Sequence, residues 1–215
     1  MLTGERLQKD DYPNILAQSD EMARSGNRPK HLSTLRIIGG QWRGRKLTFT
    51  PAPGLRPTSD RVRETLFNWL SPCVHGARCL DLFAGSGALG LEALSRGAAS
   101  CDFVDSSAAA LRQIVQHLQA VGATDLARCH PLPAATFVES AQSPFDIVFI
   151  DPPFGKGLVD PVCAQLADRE LLADGCFIYV ETAVRDPQPN VPLNWLPHRE
   201  KVAGEVAYRL YVKGG

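Results

Sequence analysis

The sequence lacks three features, and each absence excludes a class of protein. It has no apolar run near the roughly 20 residues that a membrane helix needs, and residues 1–10 are polar, without the apolar segment of a secretory signal. Its six cysteines include no Cys-x-x-Cys pair, which is the usual pattern of a zinc or redox site. We therefore expect a cytoplasmic protein with reduced thiols, no disulfide, no metal and no membrane partner.

The chain also lacks a net charge, with 23 basic and 23 acidic residues, but the charge is unevenly distributed. Nine of the basic residues lie between Arg28 and Arg63, where Asp60 is the one acid. Such a local excess favours a surface that binds a polyanion, although an ordinary solvated surface is the alternative. At 215 residues the chain has the size of one domain with short additions.

Composition divides the chain into three segments. Residues 1–34 are mostly polar, which predicts a poorly ordered tail. In residues 35–57, apolar positions flank a centre rich in Gly and Arg, and several prolines follow. This pattern predicts a small β-hairpin and a stiff linker. We assign residues 58–215 to a single main domain.

Within the main domain, helix and strand patterns alternate. Ser59 or Asp60 can cap a helix whose apolar face continues to Pro72, and later helices are expected over 88–96 and before Gly122. Such alternation means parallel pairing with right-handed crossovers, hence a doubly wound α/β sheet. The expected strands of this sheet cover residues 78–83, 100–104, 126–130, 145–150, 176–181, 195–202 and 206–212.

A glycine-rich loop between the first strand and the first crossover helix indicates a nucleotide site. Gly85, Gly87 and Gly90 satisfy the pattern G-x-G-x-x-G, in which the backbone can approach a ligand closely. Asp105 ends the second strand, where a ribose-binding acid belongs. These features alone would also fit NAD. However, Asp81 precedes the loop, and a carboxylate there would repel a pyrophosphate but suits the ammonium group of a methionine moiety.

The tetrapeptide Asp151-Pro152-Pro153-Phe154 follows the strand at 145–150 and has no use in a dehydrogenase. Because proline has no N–H, this turn offers hydrogen-bond acceptors and no backbone donor before Phe154. An exocyclic base amine is a double donor, which can bind the Asp151 carboxylate and the Pro152 carbonyl, while Phe154 stacks on the extruded base. The alternative is a plain strand-ending turn with Phe154 in the core.

These motifs together resemble the class I methyltransferases that use S-adenosylmethionine (SAM) to methylate amino groups. Within that class, the chain resembles the bacterial 16S rRNA guanine-N2 methyltransferase family, RsmD, from about Leu35 to the carboxyl terminus. The resemblance rests on five stretches, of which the first, second and last are family-specific: residues 36–46, 54–69, 81–96, 151–154 and 198–211.

The resemblance implies a Rossmann-like fold: a seven-stranded, mostly parallel sheet with an antiparallel last strand, and a small amino-terminal hairpin for RNA. It also implies SAM as methyl donor and one guanine of 16S rRNA, in the assembling small subunit, as substrate. We expect a monomer.

The expected catalytic residues are Asp151, Pro152 and Phe154. The expected cofactor-binding residues are Thr58, Asp81, Phe83, Gly85, Ser86, Gly87, Asp105 and Ser106. The expected RNA-binding residues, with the Trp as a stacking platform, are Arg36, Trp42, Arg43, Arg45 and Lys46. The alternative is that these charges only solubilise a hairpin whose Trp packs on the main domain.

Two positions depart from the family pattern, and two rival functions stay open. Relatives often carry Asp or Asn after the third strand, where this chain has His130, so we expect backbone and apolar contacts to adenine. Ser107 stands where relatives carry a second acid. The rivals are a DNA adenine or cytosine amino-methyltransferase and a catalytically silent rRNA-binding assembly factor. The turn at 151–154 argues against the silent factor.

Overall fold

The computed structural model describes residues 32–50 and 58–215. The proline-rich linker and nearly all of the expected tail lie outside these residues. The described part contains a two-stranded hairpin and a seven-stranded sheet, with helices packed on both faces of that sheet. No helix in these two ranges is long and apolar enough to cross a membrane.

The hairpin pairs β1 (Ser33–Arg36) with β2 (Lys46–Phe49) in antiparallel register. Its first strand begins within the segment expected to be tail. Leu35 lies opposite Leu47, and both are buried together with Phe49, because alternate residues of a strand point to the same side. The expected amino-terminal hairpin is confirmed.

The main sheet contains seven strands: β3 (Arg78–Asp81), β4 (Ser100–Val104), β5 (Ala127–His130), β6 (Phe145–Ile150), β7 (Leu172–Ala183), β8 (Trp195–Ala203) and β9 (Val206–Lys213). They lie in the order β5-β4-β3-β6-β7-β9-β8. Strands β3 to β7 pair in parallel, while β9 runs antiparallel to both β7 and β8. The expected doubly wound sheet with an antiparallel last strand is therefore confirmed.

The described residues form five α-helices: α1 (Asp60–Trp69), α2 (Ala88–Ser95), α3 (Ala108–Val121), α4 (Ala134–Ser140) and α5 (Val159–Asp168). Ser59 caps α1, and its hydroxyl oxygen accepts a hydrogen bond from the Val62 amide at 3.4 Å. Ser107 caps α3 in the same way. Gly122 ends α3 in the left-handed conformation, with φ of 69°, which glycine adopts without strain.

The two faces of the sheet carry separate apolar cores. The hairpin, α1, α2 and α3 share one core, and α4 and α5 form the other with the opposite face. The chain builds outward from β3 through β4 to β5, then crosses to β6 and builds outward in the other direction. Where the strand order reverses, between β3 and β6, the connections diverge and leave a crevice at the carboxyl ends of the strands.

A buried ionic cluster fastens the hairpin to α2. Glu92 and Arg63 are both fully buried, and their charged atoms lie 3.5 Å apart. The Glu92 carboxylate also accepts hydrogen bonds from the Ile38 and Gly39 amides, each at 2.8 Å, and from Arg96 at 2.7 Å. Arg63 therefore belongs to the interior and not to the basic surface inferred from the local excess of Lys and Arg.

Candidate active site

A cavity of about 1080 Å³ occupies the crevice at the carboxyl ends of the strands. Its volume lies near the top of the usual range of about 300–1,000 Å³ for small-molecule sites, which leaves room for a nucleoside cofactor and part of a second molecule. The structure brings nearly all the expected cofactor-binding and catalytic residues to its wall. These are Thr58, Asp81, Phe83, Gly85, Ser86, Asp105, Ser106, Asp151, Pro152 and Phe154.

Gly87 is not on the cavity wall but shapes the loop that is. It stands at the N-cap of α2 with φ of 77°, a conformation that costs other residues about 1–2 kcal/mol. Gly90 is required for a different reason, because a Cβ atom there would overlap the ring of Phe103 on β4. The left-handed conformation of Gly87 lets the chain turn into α2, and the absence of a side chain at Gly90 lets α2 pack closely on the sheet.

Asp81, at the end of β3, is 2% exposed and yet lies on the cavity wall. Its carboxylate accepts a hydrogen bond from the Gly90 amide at 3.0 Å. Burial raises the pKa of Asp81 to about 7, and the charge of Asp105 adds to the increase. A ligand that brings a positive charge to this carboxylate would relieve the cost of its ionisation.

Asp105 follows β4 and is held by two backbone amides. One of its carboxylate oxygens accepts from the Gly85 amide at 2.8 Å and the other from the Ser107 amide at 2.7 Å. These bonds fix the plane of the carboxylate, and each oxygen keeps a lone pair for a further donor such as a ribose hydroxyl. Ser107 itself serves as the N-cap of α3.

The cavity wall beyond β5 is apolar, with Pro133, Ala134 and Ala135 facing it. His130 is buried behind this wall, where its Nε2 atom lies 2.6 Å from Asp102 and its ring packs on Phe137 at 4.7 Å. His130 is thus occupied by an internal partner. This arrangement leaves backbone and apolar contacts at the position where we expect adenine.

The turn after β6 presents its acceptors to the cavity. The Asp151 carboxylate accepts a hydrogen bond from the Thr58 hydroxyl at 3.0 Å, Pro152 is buried, and Phe154 is half-buried at the rim. Burial raises the pKa of Asp151 well above its usual value, the charge of Glu181 raises it further, and the Thr58 hydrogen bond opposes both. Phe154 also borders an adjoining cavity of about 310 Å³, so its ring lies on the walls of two cavities.

Glu181 is a site residue that the sequence patterns missed. It is 4% exposed, lies on the walls of both cavities, and accepts a hydrogen bond from the Tyr179 hydroxyl at 2.6 Å. It ends the apolar run of β7 just as Asp151 follows that of β6. An acid at the end of the apolar run of a buried parallel strand, near the carboxyl edge of the sheet, is a signal that could have identified it.

The hairpin places its four expected basic RNA-binding residues on the exposed surface, but its tryptophan is elsewhere. Trp42 is 7% exposed and packs in the core shared with α1, α2 and α3. The expectation that Trp42 is a stacking platform is therefore wrong, because apolar burial holds the indole ring inside. The exposed basic residues are Arg36, Arg43, Arg45 and Lys46.

Comparisons with known proteins place this fold and cavity in a family. A family model described as "Conserved hypothetical protein 95" matches residues 35–212. The Ribosomal RNA small subunit methyltransferase D of Escherichia coli is 53% identical over 186 residues, which cover 86% of this chain and 93% of that protein. The protein of the same name from Haemophilus influenzae is 42% identical and covers 85% and 96%.

Solved structures agree with this placement. The Escherichia coli protein yhhF has a TM-score of 0.78 and 51% identity, covering 85% of this chain and 99% of its own. An RNA methyltransferase from Salinibacter ruber, solved with S-adenosyl-L-homocysteine, shares the fold alone, with a TM-score of 0.55 and 15% identity over 74% of this chain and 94% of that one. By its family match and its identity to relatives over most of their length, the chain belongs to the ribosomal RNA small subunit methyltransferase D (RsmD) family of class I methyltransferases.

Proposed function

We propose that the protein transfers a methyl group from SAM to the exocyclic N2 amine of one guanine in 16S rRNA. The observation that carries this proposal is the acceptor-rich turn Asp151–Phe154 on the wall of a cavity that also contains Asp81 and Asp105. The relatives from Escherichia coli and Haemophilus influenzae are named for the ribosomal RNA of the small subunit, which supports RNA as the class of substrate.

The residues of the cavity fit SAM. Asp81 is a buried carboxylate with a raised pKa, and the methionine ammonium would supply a positive partner for it. Asp105 is oriented by two amides and retains acceptors for the ribose hydroxyls. Pro133, Ala134 and Ala135 form an apolar surface for adenine. When bound, SAM supplies an electrophilic methyl group on a positively charged sulfur.

The contribution of the protein is the alignment of the amine with that methyl group. Asp151 and the Pro152 carbonyl accept the two amine hydrogens, and Phe154 holds the face of the base. These contacts turn the nitrogen lone pair toward the methyl carbon, and such positioning is among the largest sources of rate enhancement in enzymes. No covalent bond to the protein is required.

With SAM bound, the methyl group would move in one step. The amine lone pair would form the new nitrogen–carbon bond while the carbon–sulfur bond breaks with its electron pair left on sulfur, and S-adenosylhomocysteine would be the second product. The methylated amine carries a surplus proton, and the Asp151 carboxylate is the nearest acceptor. Because its surroundings raise the pKa of Asp151, this carboxylate binds a proton more readily than an exposed one.

The experiment that tests the function uses SAM with a labelled methyl group and small ribosomal subunits from cells that lack the modification. After digestion of the RNA, we expect the label in N2-methylguanosine at one position of 16S rRNA. Label in adenosine or cytidine, or no label, would contradict the proposal. Duplex DNA serves as the control substrate, and efficient labelling of it would favour a DNA amino-methyltransferase instead.

A further inference from the structure

Two carboxylates lie side by side at the carboxyl edge of the sheet. Ile150 on β6 pairs with Val180 on β7 in parallel register, so the residues that follow, Asp151 and Glu181, are neighbours across the two strands. The charge of Glu181 raises the pKa of Asp151, and burial raises the pKa of Glu181 itself. The mechanism described above uses Asp151 and leaves Glu181 without a role.

The hydrogen-bond donors around this pair are fewer than the acceptors. Thr58 donates its one hydroxyl proton to Asp151 at 3.0 Å, and Tyr179 donates its one proton to a single Glu181 oxygen at 2.6 Å. Thr58 is also close enough to affect the pKa of Glu181, but one proton cannot serve both acids. Within the part of the chain that the structure describes, these two hydroxyls leave acceptor capacity on both carboxylates.

We propose that Glu181 selects guanine by accepting the N1–H of the target base while Asp151 accepts the neighbouring N2 amine. This inference rests on the proposed function. Guanine presents two adjacent donors on its Watson–Crick edge, the N1–H and the N2 amine. Adenine and cytosine place an unprotonated ring nitrogen beside their amines, which is an acceptor and would face the Glu181 carboxylate without a proton between them.

The position of Glu181 suits this contact. It lies on the wall of the large cavity and of the adjoining one, together with Pro152, Pro153 and Phe154. A base stacked on Phe154 therefore has the turn acceptors along one part of its edge and Glu181 beside them. Tyr179 lies two residues earlier on the same strand and is fully buried, and its hydroxyl fixes the orientation of the acid by donating to it.

The test compares guanine with 2-aminopurine at the mapped target position. Splinted ligation places either base in 16S rRNA, and the RNA is assembled into small subunits. The analogue keeps the N2 amine, but its N1 carries no hydrogen. A hydrogen-bonded base contact discriminates by about 1–3 kcal/mol, so we expect the wild-type protein to methylate guanine about 5- to 150-fold faster than 2-aminopurine.

Glu181→Gln should reduce this preference. The Tyr179 hydroxyl still donates to the amide oxygen, so the NH₂ group faces the base and suits the N1 acceptor of 2-aminopurine. We expect guanine methylation to fall and the ratio of the two rates to approach 1. Glu181→Asp keeps a carboxylate and should preserve the guanine preference at a lower rate. The exposed Glu139 provides the control, and Glu139→Gln should match the wild type.

An unchanged base ratio in Glu181→Gln would overturn the inference, even if both rates fell, because that result describes a purely structural acid. Loss of the preference in Glu181→Asp to the same extent as in Glu181→Gln would also overturn it. These outcomes leave the proposed function intact, since the wild-type protein still methylates guanine. Failure of the wild-type protein to label any guanine overturns both.

Discussion

Asp81, Asp151 and Glu181 are three acids at one edge of the sheet, and burial raises the pKa of each. Their partners nevertheless differ. Asp81 bonds to the backbone of Gly90, Asp151 to the hydroxyl of Thr58, and Glu181 to that of Tyr179. A site lined by three carboxyl groups of raised pKa is suited to ligands that bring a positive charge and N–H donors, as SAM and guanine do.

Replacement of Asp151 should affect turnover more than cofactor binding. Asp151→Ala removes a positioned acceptor for the amine, and loss of such a group typically costs about 100-fold or more in turnover. Affinity for SAM, measured by calorimetry, should stay close to that of the wild type, because Asp81 and Asp105 are retained. Asp168 is exposed at the end of α5, and Asp168→Ala is the matched control. Near-normal turnover of Asp151→Ala would contradict the mechanism.

Replacement of Asp81 should stabilise the protein without ligand and weaken its binding to SAM. Burial in the folded protein raises the pKa of Asp81 from near 3.8 to about 7. The wild-type protein therefore loses stability as the pH rises from the pKa of the unfolded state through that of the folded state. Asp81→Asn keeps an oxygen for the Gly90 amide and carries no charge. The free energy of unfolding of Asp81→Asn, relative to that of the wild-type protein, should therefore increase by about 2–3 kcal/mol between pH 5 and pH 8.

Chemical unfolding of Asp81→Asn and of the wild-type protein at pH 5 and pH 8 measures this difference. Because the pH dependence comes from one carboxylate, Asp168→Asn on the surface should show no comparable change. If the difference in free energy of unfolding between the variant and the wild type stays constant with pH, Asp81 titrates at an ordinary pKa in the folded protein.

At the scale of the elements, the attachment of the hairpin involves one buried acid of α2. Glu92 is a buried acceptor for two hairpin amides and lies beside the buried Arg63. Glu92→Ala leaves those donors without an acceptor and Arg63 with less compensation, and breaking a buried ion pair typically costs about 3–5 kcal/mol. We expect a lower unfolding temperature and faster hydrogen exchange at Ile38 and Gly39. Unchanged exchange at these amides would show that apolar packing alone holds the hairpin.

The elements also show what the sequence could predict. The strand at 145–150 and the glycine loop were predicted because their residue patterns are contiguous and the chemistry is local. Helix α4 was missed because its seven residues are too few for a helical period to emerge. Trp42 was misassigned because a tryptophan among arginines fits both stacking and packing. No pattern along the sequence predicts the role of Glu181. Its role depends on Asp151, its neighbour across the sheet, and the periodicity of one strand does not show which residue of another strand lies beside it.

At the scale of the whole molecule, the basic tip of the hairpin (Arg43 and Arg45) and the cavity lie at opposite ends of α3. The Arg45 guanidinium donates to the carbonyl of Ala120 at 3.0 Å, near the last residue of α3, while Ser106, just before its N-cap, lies on the cavity wall. Fourteen helical residues span about 21 Å at 1.5 Å each. An RNA that contacts the tip and also delivers a base to the cavity must therefore extend over about that distance.

This separation predicts how the effect of the tip depends on the length of the RNA. Arg43→Ala combined with Arg45→Ala should weaken binding to small subunits. The slope of log affinity against log salt concentration should fall by an amount that corresponds to about one to two phosphate contacts. For a short RNA around the target guanine, which reaches the cavity but not the tip, the double variant and the wild-type protein should act at equal rates. Affinity for SAM should be unchanged with either substrate. If the variant binds subunits with the wild-type affinity and salt slope, the tip is structural and RNA docks elsewhere; if it also loses activity on the short RNA, the substitutions disturb the site itself.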